Sequence, residues 1–538
     1  MKIRLAQINP IVGNFDYNSK LIKDTIQSST DYHIIVFPEL SITGYPPQDL
    51  LTNSSFIEQA SQTLESIVKN VGKQVVVIGL PRKKGEHLFN SAAIINDGEI
   101  LGYHDKMLLP TYDVFDENRY FKRGVSANPI KVEIDGKSLN LGVQICEDLW
   151  DDDYDLKITD TLIEKGAEMI INISASPYRK NILDKRLNLC RDRSSHLKYY
   201  FIYCNAVGGQ DELVFDGRSF IMAPDGNVEA IGKLFLEDRV DFDTNTPSHN
   251  NLEIIKIDEY EELFKAISLG VKDYFNKTGF KKAVIGLSGG IDSSLTAAIA
   301  VDAIGKENVI GVSMPSSFSS EHSKTDAKEL ADNLGIKFES ISIKEPFNVL
   351  IDEMGCFFKG TESGLAEENL QARIRGNILM SVANKINALV LNTGNKTELA
   401  LGYCTMYGDM CGALGVISDL NKNEVYGVSK WLNESSSSDI IPISSITKRP
   451  SAELSENQYD PFDYDVVSPI VDFMINDMAS KEELVKMGYD STIIDNLQNK
   501  IHQSEYKRRQ SAPGIKVSSK AFGVGRRFPI VNQYKDLE

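Results

Sequence analysis

Two sets of residues in this chain have types and spacing suited to chemistry. The first is Ser288-Gly289-Gly290-Ile291-Asp292-Ser293-Ser294, set between an apolar run, Ala283-Val284-Ile285-Gly286-Leu287, and an Ala- and Leu-rich run, Leu295 to Ile304. A strand that breaks into glycines and small hydroxyls before opening a helix builds an anion cradle. Inward-turned N–H groups, the positive end of the helix and the serine hydroxyls converge there, and the glycines let a phosphate approach closely. Asp292 is out of place in a pure anion site unless a divalent metal bridges it to the phosphates. The Gly-Lys-Ser/Thr of the common nucleotide loop is missing. The second set is dispersed: Glu39 in Phe37-Pro38-Glu39-Leu40-Ser41, Lys106 in His104-Asp105-Lys106-Met107, and Cys146 after Leu139 to Ile145. A thiolate that attacks, a carboxylate that takes and returns a proton, and an ammonium that holds the oxyanion suffice for amide hydrolysis.

These residues need elements that hold them together. Ile34-Ile35-Val36-Phe37, Val75 to Ile78 and Met169 to Ile173 read as strands, and Asn96-Asp97-Gly98 reads as a hairpin turn between Ala92–Ile95 and Glu99–Gly102. A further turn is expected at Pro224-Asp225-Gly226. Glu39, Lys106 and Cys146 each lie just past such a run, where a sandwich could converge them on one pocket. The polar stretch Asp241 to Asn251 reads as the linker, which divides the chain into residues 1–245, a linker at 246–262 and residues 263–538. A helix carrying Leu263, Ile267, Val271 and Tyr274 opens the second domain. Strands expected at 283–287, 308–313, 337–343 and 388–393 alternate with helices and imply a parallel, doubly wound sheet. Ligands of such sheets bind beyond the carboxyl ends of the strands, where Ser288 would lie. Asn433 to Asp439 reads as a mobile, serine-rich loop.

Length and composition bound the rest. At 538 residues with 42% hydrophobic and 25% charged residues, the chain calls for at least two soluble domains. A formal net charge of -18 argues against nucleic-acid binding. The six cysteines form no CxxC pair, no apolar run reaches membrane-spanning length, and a reducing cytoplasm is the expected setting. A Cys–His–Glu amidotransferase fits poorly, because none of the seven histidines sits in such a motif.

In their ordered contexts, Phe37-Pro38-Glu39-Leu40, Asp105-Lys106 near Leu109-Pro110, and Cys146-Glu147-Asp148 resemble the Glu–Lys–Cys triad of the nitrilase family of carbon–nitrogen hydrolases. The resemblance spans roughly residues 1–240 and implies an α-β-β-α sandwich with Glu39, Lys106 and Cys146 catalytic. It also implies Tyr112, Glu147 and Ser176 in the pocket for glutamine. Glutaminase members often carry a basic residue six positions after that serine; here Ile182 stands there, with Arg179 or Lys180 as the candidates to replace it. The Ser288 stretch is similar to the pyrophosphate loop of the ATP pyrophosphatase family, whose members adenylate a substrate while splitting ATP into AMP and pyrophosphate.

Asn395-Lys396-Thr397-Glu398-Leu399-Ala400-Leu401-Gly402-Tyr403, continuing to Tyr407-Gly408-Asp409, narrows this further. With Glu368 to Arg375 and Tyr506 to Gln510, it resembles the glutamine-dependent NAD synthetase family. Guanylate and asparagine synthetases share the Ser-Gly-Gly-x-Asp-Ser loop but lack this segment. The resemblance implies ATP on Gly286, Leu287, Ser288, Gly289, Gly290, Ile291, Asp292 and Ser293, with Met314 beside adenine and Thr393 at the nucleotide. It implies magnesium on Asp292 and Glu398, deamido-NAD on Asn369, Glu398, Asp409 and Lys507, and Lys422 near the phosphates. The relatives' Gly-Gly pair after Asp409 is broken in Met410-Cys411-Gly412-Ala413. Pairing of synthetase domains implies a homodimer or larger homo-oligomer, and two separated sites imply a tunnel for ammonia. Two alternatives stay open: a ligase with another acceptor acid, and a nucleotide-sensing module controlling an amidase.

Overall fold

The computed structural model describes residues 1–247, 252, 254–456 and 458–534, so residues 248–251 and 253 of the expected linker lie outside the described residues. The chain divides into two compact units, Met1–Gln210 with Val214–Lys256, and Asp211–Leu213 with Ile257–Glu538. Among the described residues no helix is long and apolar enough to cross a membrane.

The first unit contains two six-stranded sheets. One runs in the order Asp238–Asp243, Lys2–Gln7, Ile34–Val36, Val75–Lys84, His87–Asn96, Glu99–Asp105. The other runs Val228–Ile231, Phe220–Met222, Phe201–Asn205, Met169–Ser174, Lys137–Ile145, Ile130–Ile134. Alternation along the strands decides the layering. Ile3, Leu5, Val36, Val75 and Val77 of the first sheet share a core with Leu141, Val143, Ile145, Ile171 and Ile173 of the second. The intervening residues Ile35, Val76 and Ile78 face the other way, onto Ile22, Ile26, Ala60 and Leu64 of helices Phe15–Gln27 and Ser54–Val68. Helices Ile158–Glu164 and Ile182–Ser194 cover the outer face of the second sheet through Leu162, Leu187 and Cys190. The result is the expected α-β-β-α sandwich. Its hairpin closes by pairing Asn96 with Glu99, which requires positive φ at Asp97 and Gly98, 47° and 75°. Phe220–Met222 and Val228–Ile231 close through the N–H of Ala223 donating to Asn227 O.

The second unit carries a five-stranded sheet in the order Lys337–Ser340, Val309–Ser313, Lys282–Gly286, Ala388–Asn392, Leu414–Gly415, with every pair parallel. The order reverses at Lys282–Gly286, so the loop after this strand opens at the switch point of a doubly wound sheet. The expected strand 337–343 stops at Ser340; Ile343 turns inward and is fully buried. The expected serine-rich loop begins later than its composition suggests, after helix Lys422–Ser435, and its base is tied down. Helix Lys422–Ser435 runs through Asn433, whose buried amide donates to Ile441 O and accepts from the N–H groups of Ile440 and Ile441. One buried asparagine at the end of that helix closes the loop by satisfying the backbone of Ile440 and Ile441 on its far side.

A C-terminal helical layer holds Tyr464–Asn476, Lys481–Lys486 and Ser491–Gln503. Val467, Ile470, Leu484, Ile494 and Leu497 pack there with Ala400 and Leu401 of the short helix Lys396–Leu401. Lys396 ties that layer together. Fully buried, its ammonium meets Asp419 at 2.9 Å and donates to Asn476 Oδ1, Ser518 Oγ and Lys520 O at 2.8, 2.9 and 3.2 Å. Asp419 in turn accepts from the N–H groups of Val517 and Ser518. A charge this deep is tolerated only while paired. Lys396→Met is therefore expected to destabilise the second unit by about 3–5 kcal/mol, read as a lower urea midpoint for its transition. Lys486→Met, which breaks the exposed pair with Glu482, is expected to leave that midpoint in place.

Candidate active sites in the two units

In the first unit, Glu39 and Lys106 meet as a buried ion pair, Lys106 Nζ donating to Glu39 Oε1 at 2.8 Å. Strand ends set this meeting. Lys106 follows Glu99–Asp105, and Glu39 lies past Ile34–Val36 in a corner where Leu40 takes φ +46°. Glu39 also accepts from Asn90 Nδ2 at 2.7 Å and from the N–H of Ala175 at 2.9 Å. On its other side the lysine donates to Glu117 Oε1 at 2.8 Å. Burial works against the ammonium, but Glu117 and Glu39 outweigh it and hold Lys106 well above the ordinary lysine range. Burial and the nearby Glu39 charge, opposed by Lys106, push the Glu117 carboxyl up to about 7.

Cys146 ends the strand Lys137–Ile145 and opens the short helical turn Cys146–Leu149. Its φ is +42°, sparsely used by residues with side chains, and its N–H donates to Asn172 Oδ1 at 3.0 Å. Burial raises the thiol well above its usual range; Glu39 adds to this and Lys106 opposes it. The thiol therefore rests protonated among the groups expected to activate it. Tyr112 donates to Glu147 Oε1 and Oε2 at 3.1 and 3.0 Å, and Tyr154 donates to the same carboxylate at 3.1 Å.

Ser176 is buried and accepts at both its carbonyl and Oγ from Arg186 Nη2, at 2.8 and 3.1 Å. Arg186 is itself locked to Asp216 by two bonds of 2.8 Å. Ile182, where relatives often carry a basic residue, is buried in the first turn of helix Ile182–Ser194, with Arg186 one turn further on. Arg179 and Lys180 are half-buried just before that helix.

In the second unit a cleft of about 440 Å³ gathers Gly286, Leu287, Ser288, Gly290, Ile291, Asp292 and Ser293 with Met314, Thr393, Asn369, Glu398, Asp409, Lys422 and Lys507. Gly289 alone of the expected nucleotide loop does not line it. With φ +78° it packs beneath, where a Cβ would come 2.3 Å from Ser323 O. The loop's own hydroxyls shape it. Ser288 Oγ accepts from the Gly290 N–H at 3.2 Å, and Ser293 and Ser294 donate to Gly290 O at 3.0 and 2.8 Å.

Two carboxylates face each other across one ammonium. Lys422 Nζ donates to Asp292 Oδ2 at 2.6 Å and to Glu398 Oε1 at 3.1 Å. Asn395 completes the group: it caps helix Lys396–Leu401 by accepting from the Glu398 N–H at 3.0 Å, and its Nδ2 donates to Asp292 Oδ1 at 2.8 Å. Burial and the Asp292 charge push Glu398 up to about 7 against the pull of Lys422. Among the described residues no three Asp, Glu, His or Cys side chains are grouped to cage a metal. That donor set still fits magnesium, which takes one or two carboxylates and fills its sphere with phosphate oxygens and water.

The remaining residues shape the wall. Lys507 donates to the carbonyls of Gly402 and Cys404, both at 2.7 Å. Asn369 accepts from Thr405 Oγ1 and Asp409 from the Thr405 N–H, each at 2.6 Å. Burial raises Asp409 to about 6. In Met410 to Ala413 only Gly412 takes a positive φ, so the loop closes with one glycine.

Three contributors escape a reading by motif. Glu117 sits in the charged run Asp116-Glu117-Asn118-Arg119, which looks solvated. Arg186 lies on an outer helix. Glu453 accepts from Ser320 Oγ and Ser323 Oγ, both at 2.8 Å, inside a loop with no motif. Asn395 does carry a signal, since Asn-x-x-Glu ahead of an apolar run is a helix-start pattern.

Residues 2–236 match the carbon–nitrogen hydrolase family and residues 263–511 the NAD synthase family. The chain is 40% identical to a glutamine-dependent NAD(+) synthetase of Synechocystis sp., covering 99% of each sequence. It is 38% identical to that of Thermotoga maritima, covering 100% of this chain and 99% of the relative. Among solved structures, it resembles the glutamine-dependent NAD+ synthetase of Acinetobacter baumannii in complex with adenosine diphosphate. The TM-score there is 0.79 at 35% identity, over 99% of this chain and 98% of that one. A Glu–Lys pair buried at a strained cysteine in one unit, a phosphate-type loop facing paired carboxylates in the other, and full-length likeness agree: this chain belongs to the glutamine-dependent NAD(+) synthetase family.

Proposed function

We propose that the first domain, residues 1–245, hydrolyses glutamine to glutamate and ammonia, and that the second, residues 263–538, uses the ammonia to convert deamido-NAD into NAD. Residues 246–262 serve as the linker. The observation that carries the reading is the cleft that brings the Ser288 loop, Glu398 and Asp409 onto one surface. Separate motifs thereby become a single nucleotide-sized site.

In the glutaminase, Cys146 attacks the side-chain amide carbon while Glu39 takes the thiol proton. The attack and the proton transfer are coupled, because the buried thiol resists ionising alone. Lys106, kept charged by Glu39 and Glu117, faces the oxyanion. Glu39 then gives its proton to the departing ammonia, and water, activated by the same carboxylate, releases glutamate from the thioester. Tyr112, Glu147 and Ser176 hold the substrate, with Arg179 or Lys180 facing its carboxylate in place of a basic residue at 182.

In the synthetase, N–H groups and serines of the Ser288 loop bind the phosphates of ATP, with Met314 beside adenine and Thr393 on the nucleotide. Asp292 and Glu398 would hold magnesium, which neutralises charge developing on the phosphate oxygens. Asn369, Asp409 and Lys507 orient deamido-NAD so that its carboxylate attacks the α-phosphorus and pyrophosphate departs. Ammonia then attacks the acyl carbon and AMP leaves. A tunnel would keep ammonia from protonation and loss between the sites.

The same reading includes a homodimer as the smallest assembly and a cytoplasmic setting. Helix Lys344–Glu353 buries none of its residues, and Val349, Leu350, Phe357, Leu365 and Met380 are exposed on this helix and the next two, Gly355–Phe358 and Leu365–Ile386. Apolar side chains exposed on three consecutive helices support a pairing surface there.

Three outcomes test the proposal. Cys146→Ala is expected to lower glutamine-driven NAD synthesis at least about a thousandfold while ammonium-driven synthesis stays within a factor of about two; loss of both in a folded variant would refute the two-site mechanism. Asp292→Ala should abolish AMP and pyrophosphate release with either nitrogen source, and normal turnover would exclude its role. Phe357→Glu combined with Leu365→Glu should shift the sedimenting species to monomer, and an unchanged mass would place the interface elsewhere.

A further inference from the structure

The oxygens of the Asp292–Glu398 pair are nearly all engaged by the protein itself. Asp292 Oδ1 accepts from Asn395 at 2.8 Å and Oδ2 from Lys422 at 2.6 Å, while Glu398 Oε1 accepts from Lys422 at 3.1 Å. Lys422 is 2% exposed and packs with its ammonium 5.2 Å from the centre of the Tyr464 ring. Its anchor is firm: its own N–H donates to Thr397 Oγ1, and Asn421 before it caps helix Lys422–Ser435 by accepting from the Glu424 N–H. The ammonium therefore lies between the two acids, in the position a cation shared by them would take.

We infer that Lys422 is a resident counter-ion that keeps divalent metal out of the nucleotide-free enzyme and yields both carboxylates when phosphates enter the cleft. This rests on the reading of Asp292 and Glu398 as metal-facing acids. A divalent ion arriving alone and drawing on both acids would meet the buried ammonium already bound to Asp292 Oδ2 and Glu398 Oε1, and like charges so close repel strongly in a poorly solvated site. Phosphate oxygens change the balance. The cleft lined by the Ser288 loop also contains Lys422, so its flexible four-carbon stem can exchange two carboxylates for phosphates without leaving the site. Asn395 does not exchange. Bound to Asp292 Oδ1 and to the N–H of Glu398, it keeps the acids at fixed spacing while the lysine leaves, and so acts as the positioning residue of the pair. The metal and the nucleotide would then enter together, and neither half of the site would accumulate a cation that the other half cannot use.

The test is direct uptake of Mn2+ by the full-length protein, measured by loss of the free-ion paramagnetic resonance signal without nucleotide and with a non-hydrolysable ATP analogue. The natural chain is expected to take up Mn2+ at this site only with the analogue. Lys422→Gln and Lys422→Met are expected to bind it without nucleotide, at least about tenfold more tightly than the natural chain. Lys422→Arg, which keeps the charge, is expected to behave like the natural chain. If loss of the ammonium unfolds the second unit, Mn2+ is expected to restore the melting transition of Lys422→Gln, and no such rescue would count against the inference. Equal nucleotide-free binding by the natural chain and Lys422→Gln would overturn it and leave the metal reading intact. So would a Lys422→Gln variant that still requires nucleotide. No uptake by any form, with or without the analogue, would remove the metal reading and this inference together.

Discussion

Each unit is organised around a lysine bracketed by two carboxylates. Lys106 lies between Glu39 and Glu117, and Lys422 between Asp292 and Glu398. An isolated buried charge is too costly to survive, whereas an ammonium bracketed by two acids can be kept by hydrogen bonds from neutral donors. Those donors explain much of the surrounding structure. Asn90 and the Ala175 N–H serve Glu39, Tyr45 serves Glu117, and Asn395 serves Asp292. Removing any one weakens the set of bonds that keeps these charges buried, so the strands and helix starts that deliver these donors are constrained by the triad as well as by their own packing.

The two triads answer different chemical needs. In the proposed mechanism the lysine of the first unit stays, because the charge it would stabilise is a negative one that appears on the substrate during attack. A second acid behind it keeps the ammonium charged after the first has taken a proton. In the second unit the substrate brings its negative charge with it. The acids there would serve a cation that accompanies the phosphates, and on the inference above the lysine is the group that changes partners.

Much of this is legible in the sequence, for definable reasons. Strands whose ends carry Glu39, Cys146 and Ser288 are short, apolar and β-branched, and both folds place the residues after such a strand at one edge of the core. The Ser-Gly-Gly-x-Asp-Ser order is local, so its geometry is set by adjacent residues. Glu117 stays hidden because a charge is read as solvated until a distant lysine claims it. Asn395 can be read as a cap, but its second bond, to Asp292, joins residues far apart in the chain. Asn433 misleads for the opposite reason: it lies in a serine-rich, polar stretch while its own amide is buried. Composition averages over neighbours, and a single inward-facing side chain escapes it.

The Lys396 anchor has a consequence for how the synthetase site comes into being. Helix Lys396–Leu401, which carries Glu398, is held by contacts to Ser518 and Lys520 and by Asp419, itself bound to the backbone at 517 and 518. The sheet and the phosphate loop are complete much earlier in the chain. During synthesis, a chain that has emerged only as far as the loop owns a cradle for phosphate but lacks the buckle that seats its acid. The segment that fastens the site is thus made well after the loop it serves, and a chain that stops short of residue 518 lacks the contacts that seat the helix of Glu398.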